Sequence, residues 1–216
     1  MRNVLNISTA SSTLQPDFRS KKFQQVLLLI FLIFWIAFAI SPVYRPEWWL
    51  ENYLVFAFIL FLVLSYNRLQ LSDLSYLLIT IFLLLHNIGA HYGYSSVPIG
   101  FTLRDVFNLV RNPYDRIVHF LFGVLFAYPI YELLKRYSSQ KGKWLYILPI
   151  NFIISLSAIY EIIEAVVAWT FPPEQYDPFV GLQGDIWDGY KDMLLVSTGG
   201  MISTSIIWLT EKLRKN

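Results

Sequence analysis

Residues 23–40 read FQQVLLLIFLIFWIAFAI, a run from Phe23 to Ile40 without one acid, base or imidazole. A bilayer's hydrocarbon core is about 30 Å thick and takes about 20 helical residues to cross, so this run is long enough to span it. The polar stretch ahead of the run extends to Lys22, and no small-residue cleavage pattern follows before Ser41 and Pro42. It therefore reads as a retained span rather than a removable leader.

The same ruler, moved outward along the chain, finds five further charge-poor runs near 49–66, 74–93, 117–134, 144–168 and 190–209. They are continuously apolar instead of alternating, and only helices or closed barrels satisfy the backbone in lipid. The expectation is an all-α polytopic transmembrane bundle of about six spans. It forms one domain over 23–210, with tails at 1–22 and 211–216. The third run ends in the polar sequence His86-Asn87-Ile88-Gly89-Ala90-His91, and the fifth contains Pro149 near its start. Composition agrees: 56% apolar and 18% aromatic residues against 15% charged leave too little polar surface for a water-soluble exterior. With zero cysteines, any metal must be held by His and carboxylates.

The basic residues set an orientation. Twelve of the 17, including Lys21, Lys22, Arg68, Lys135, Arg136, Lys141 and Lys143, fall on the side of the amino terminus. The other five are Arg45, Arg104, Arg111, Arg116 and Lys191. The positive-inside rule then puts both termini in the cytoplasm.

Parity alone makes the end of span three, the start of span four, the end of span five and the start of span six share one membrane edge. Every one of them carries ionisable side chains: His86 and His91; Arg111, Asp115, Arg116 and His119; Glu161 and Glu164; Asp185, Asp188 and Asp192. Charge at the edge of an apolar helix is costly and asks for a reason. Asp115 and His119 are four apart, Glu161 and Glu164 three apart, Asp188 and Asp192 four apart, so each pair shares a helix face. His86 and His91 are five apart, and Gly89 between them offers a way to turn both rings inward.

Mixed imidazole and carboxylate suits zinc, manganese, iron or magnesium. On that reading His86, His91, His119, Asp115 and Asp185 are candidate metal ligands, while Glu161, Glu164, Asp188 and Asp192 are candidate catalytic groups. Arg111 and Arg116 would grip a phosphate or carboxylate. The bland readings are equally concrete. Asp185 and Asp188 could cap the last helix, the arginines could be interfacial ion pairs, and the glutamates could tie helices together. No H-E-x-x-H, helical E-x-x-H pair or EF-hand loop is present. Elsewhere Glu132, Lys135 and Arg136 read as a solvated helix end. Trp48, Trp49, Trp144 and Trp169 read as an aromatic belt, and Gly199 with Ser203 as a packing face.

Four stretches carry a resemblance to the YjdF family of bacterial inner-membrane proteins: His86 to Tyr92, Tyr114 to Phe120, Tyr160 to Ala165, and Gly184 to Asp192. That resemblance implies a multi-pass protein of the bacterial cytoplasmic (inner) membrane. More distantly, Asp115-Arg116, His119-Phe120, Glu161, Asp185 and Asp188 are similar in order to a pattern of VanZ-like proteins, which are associated with glycopeptide tolerance. Glu164 and Asp192 depart from it, where that family tends to have Gln and Asn. Three functions compete: a metal-dependent hydrolase or transferase acting on a lipid or lipid-linked phosphate, a non-enzymatic envelope protein binding a cell-wall precursor, and an ion-coupled transporter. Transporters usually place charge at mid-membrane on broken helices, whereas here it collects at one end. The bilayer is the expected partner, and no nucleic acid is.

Overall fold

A computed structural model describes residues 21–172 and 179–214. Glu174 and Asp177, and the tail before Lys21, lie outside these residues. Among the described residues the chain is all-helical, with α1 (Lys22–Ala39), α2 (Arg45–Ser65), α3 (Asp73–Tyr92), α4 (Pro98–Val106), α5 (Tyr114–Tyr137), α6 (Trp144–Thr170) and α7 (Asp188–Leu213). All but α4 are long and apolar enough to cross a membrane. Between α3 and α5 lie a 3-10 turn (Tyr94–Ser96) and α4, which hydropathy alone did not single out.

Local chemistry sets the helix ends. The second helix begins at Arg45, ahead of its apolar run, because Pro46 and Glu47 suit a first turn: proline gives up no needed hydrogen bond there, and the acid faces the positive end of the helix dipole. Ser72 caps α3, its side chain accepting from the Ser75 backbone N–H at 3.3 Å. Asn112 Oδ1 accepts from the Tyr114 N–H at 3.0 Å, which starts α5.

The central helix is α5, packed on α3, α6 and α7, while α1 and α2 lean on α3. Phe31, Val55, Ile79, Phe126, Ile153 and Val196 form the main apolar core. The outward faces of the spans carry exposed Leu, Ile, Val and Phe, a surface stable only against hydrocarbon. The closest approach is between α5 and α7: a Cβ on Gly123 would lie 2.1 Å from the Val196 carbonyl oxygen, and one on Gly199 2.3 Å from that of Phe120. The small-residue face of the last span is used here, with Gly123 as its counterpart.

Two structural expectations need correction. Glu132 is not a solvated residue but is 5% exposed. Its carboxylate accepts from the Ser72 N–H at 2.9 Å, the Ser72 hydroxyl at 2.9 Å and the Ser75 hydroxyl at 2.5 Å, and it pairs with Arg136 at 2.6 Å. The donors of an α3 first turn make burial of that charge tolerable. Arg136 in turn donates to the Gln70 carbonyl at 2.8 Å. Trp48 is buried against Trp35 at 5.7 Å between ring centroids, so it belongs to the interior, whereas Trp49, Trp144 and Trp169 are exposed as a belt requires.

Candidate functional site

Three helices bring the polar pairs together. From α5, Asp115 and His119 point the same way, with Asp115 Oδ1 3.4 Å from His119 Nε2. From α6, Glu161 Oε1 lies 3.9 Å from the same nitrogen. From α7, Asp192 completes a group in which one ligand atom each of Asp115, His119 and Asp192 lies within 4.8 Å of the others. Asp192 is 2% exposed. Its Oδ1 and Glu161 Oε1 are buried without a hydrogen-bond partner. Glu164 stands beside Glu161 and within electrostatic reach of Asp115 and Asp192. Gly189, in the first turn of α7, leaves the space Glu161 fills: a Cβ there would lie 2.4 Å from Glu161 Oε2.

Around this centre is a rim of ion pairs. Arg111 pairs with Asp188 and lies 3.6 Å from Asp115. It also donates to the Gly181 and Leu182 carbonyls at 3.3 and 3.4 Å. Arg116 pairs with Asp185 at 2.5 Å and Asp188 at 3.4 Å. Asp185 further pairs with Lys191 at 2.5 Å, and its Oδ1 accepts from the Trp187 N–H at 3.1 Å. The hydrogen bond from Lys191, then those from Arg116 and the Trp187 N–H, pull the Asp185 carboxyl down to about 2. Gln183 closes the rim, accepting from the Asn112 N–H at 2.9 Å and donating to the Asn112 carbonyl at 3.1 Å. The arginines and Asp188 thus hold the segment before α7 onto the start of α5, and Asp185 lies in this rim rather than beside His119.

The two histidines of α3 part company. Five positions on a helix of 3.6 residues per turn are about 140° apart, so one face cannot hold both. His91 Nδ1 bonds the Phe38 carbonyl at 2.9 Å, at the α1 end of the bundle, and stands outside the cluster. His86 turns inward. Gly89 does not loosen the helix, which runs on to Tyr92. It seats Tyr94 instead: a Cβ on Gly89 would lie 2.6 Å from that ring. So placed, the Tyr94 hydroxyl is 2.7 Å from His86 Nδ1.

His86 also shows what the sequence reading missed. Its Nε2 lies 3.8 Å from Glu51 of α2, a residue only 2% exposed, and the Tyr160 hydroxyl donates to both Glu51 oxygens at 3.0 and 3.1 Å. The Tyr160 and His119 rings are 6.0 Å apart, so this network adjoins the first. The signal was available: Glu47 and Glu51 are four apart at the start of span two, which parity assigns to the same edge. Six carboxylates (Glu51, Asp115, Glu161, Glu164, Asp188 and Asp192) therefore share one region, with Arg111 and Arg116 as the permanent cations among them. In a low-dielectric interior such an excess needs protons or a bound cation.

Comparison with known proteins agrees with this architecture. Residues 23–213 match the family described as predicted membrane protein (DUF2238). The inner membrane protein YjdF of Escherichia coli (strain K12) is 32% identical over 166 residues, covering 76% of this chain and 78% of that protein. No solved structure matches the chain. Six spans, the family match and the inner-membrane relative together make this a multi-pass inner-membrane protein, and it belongs to the DUF2238 family of predicted membrane proteins.

Proposed function

We propose that the protein is a divalent-metal-dependent hydrolase or transferase that acts, at the external membrane face, on a lipid or lipid-linked phosphate. The observation that carries this reading is the convergence of Asp115, His119 and Asp192, with Asp192 Oδ1 buried and unpartnered. Two carboxylates and an imidazole suit zinc, manganese, iron or magnesium. An ion held there would polarise a phosphoryl or ester oxygen and acidify water. Glu161, with one free oxygen near His119, is placed to take a proton from an attacking water or hydroxyl, and Glu164 beside it to share that proton. Asp188 serves by holding Arg111 and Arg116, so its role is positioning. His86, Glu51 and Tyr160 form the wall behind His119. The excess of basic residues on the opposite edge supports the external placement.

A second reading has its own support. Arg111 and Arg116 are already engaged by Asp188 and Asp185, as expected of a non-enzymatic envelope protein whose polar network shapes an external surface, or of an ion-coupled carrier handling protons. Elemental analysis of the detergent-purified protein separates the readings. Stoichiometric metal in the wild type, lost in His119→Ala and Asp192→Asn but kept in Glu161→Gln, is the expected result. No metal under retaining conditions, with the variants destabilised, favours the structural network.

A further inference from the structure

Directly beneath the polar cluster is a cavity of about 270 Å³ bounded by α2, α3, α5 and α6. Its polar side chains gather at one end: His86, Tyr94, His119 and Tyr160, the groups that border the cluster. The rest is lined by apolar side chains such as Phe58, Phe82, Leu83 and Phe126, with Ser157 as the one further polar residue. From His119 to Phe126 on α5, and from Ile163 to Leu156 on α6, is seven residues, so the cavity runs about 10 Å along the helices.

What closes it at each end differs. At the polar end α2 and α6 meet, Leu50 and Ile163 packing on the same apolar cluster and Tyr160 bonding Glu51. Beyond that point the two helices make little close backbone contact. The lining residues Leu54, Leu156 and Ile159 are 40%, 47% and 54% exposed on the outer surface of the bundle. These are spanning helices, so what lies outside that mouth is hydrocarbon, and the cavity opens sideways to lipid.

We propose that this cavity receives one hydrocarbon chain of a membrane lipid, entering between α2 and α6, with the lipid's polar head directed to His119 and the carboxylate cluster. The occupant follows from position and continuity. The mouth faces acyl chains, the wall offers them apolar contact, and the inner end carries the hydrogen-bonding groups that a lipid's ester or phosphate linkage meets first. This deepens the proposed function by naming the substrate as a lipid whose chain is held by the protein, and it rests on that reading only for what happens at the head.

The test is photolabelling in liposomes with a phospholipid carrying a diazirine in its acyl chain, followed by peptide mapping. Wild-type protein is expected to carry adducts on the interior stretch of α5 from Val118 to Phe126, besides those on outward residues such as Phe152. Ser157→Trp, which fills the cavity, should remove the α5 adducts and leave those at Phe152; Ser157→Leu serves if the larger residue does not fold. Adducts confined to outward faces in the wild type, or α5 adducts undiminished by filling, would overturn the proposal. Repeating the labelling on Asp192→Asn keeps the two claims apart. Its residue does not line the cavity, so interior adducts retained in a protein without metal sustain the chain site whatever becomes of the metallohydrolase reading.

Discussion

Gly199→Ala tests whether α5 and α7 touch as closely as described. Helix propensity alone favours alanine over glycine in a helix interior by about 1 kcal/mol. Against this, the new Cβ would lie 2.3 Å from the Phe120 carbonyl oxygen and 3.0 Å from the Val124 nitrogen. Both are backbone atoms, so no side chain can swing away. Reaching the 3.4 Å of ordinary contact means opening the helix pair by about 1.1 Å, a distortion of the kind that costs about 1–3 kcal/mol. The net expectation is a loss of up to about 2 kcal/mol, measured by denaturant or thermal unfolding in detergent with tryptophan fluorescence as the signal. Ser203→Ala, one turn along, should stay within about 0.5 kcal/mol of wild type. Because α5 carries Asp115 and His119 and α7 carries Asp192, the same opening exceeds the roughly 0.2 Å that metal–ligand distances tolerate, so under the proposed function any bound metal should fall with it. The sign decides: a Gly199→Ala protein more stable than wild type refutes the close contact.

Gly189→Ala separates site from scaffold, since the three atoms nearest its Cβ all belong to the Glu161 side chain and none to a backbone; unfolding should stay within about 0.5 kcal/mol of wild type while any turnover falls, and an unchanged rate would count against Glu161 as base. Glu132→Ala should cost about 3 kcal/mol, because it leaves the Ser72 N–H and the Ser72 and Ser75 hydroxyls without their acceptor; near-neutral unfolding data would show the clasp to be unimportant. Asp185 has a depressed folded-state pKa, so what its pairs contribute is complete above its ordinary value near 4 and disappears as pH falls through about 2. Carboxyl carbon NMR of labelled Asp should show it titrating well below its ordinary value, and Lys191→Ala should move it back up.

Much of this molecule could be read from its residues because two rules act locally. Membrane length fixes spans, and spacings of three and four fix faces, so the pairs Asp115 with His119 and Asp188 with Asp192 needed no tertiary knowledge. Parity then gathered them at one edge. What escaped depends on partners supplied by another helix. Glu132 looks like a solvated acid until Ser72 and Ser75 are placed beside it. Trp48 looks like a belt residue until Trp35 covers it. Glu51 was passed over although its spacing from Glu47 obeyed the rule used elsewhere, and the role of Tyr94 depends on a turn that hydropathy does not register. Arg111 and Arg116 illustrate the limit for charge: type and spacing allowed an anion grip, and only the positions of Asp185 and Asp188 show them engaged.

The central helix is fastened to α3 at both extremities. Near the cluster the Tyr114 hydroxyl donates to the Leu85 carbonyl at 2.7 Å, and at the far end Glu132 grips the first turn of α3 while Arg136 reaches Gln70. Two fixings separated by the length of a span act as a braced frame: α3 and α5 can neither pivot nor slide against each other unless one end is broken. A rocking cycle that moved α3 against α5 would have to run through that breakage on every turn. A reaction carried out at a stationary edge, on molecules that arrive and leave within the plane of the membrane, asks for no such movement.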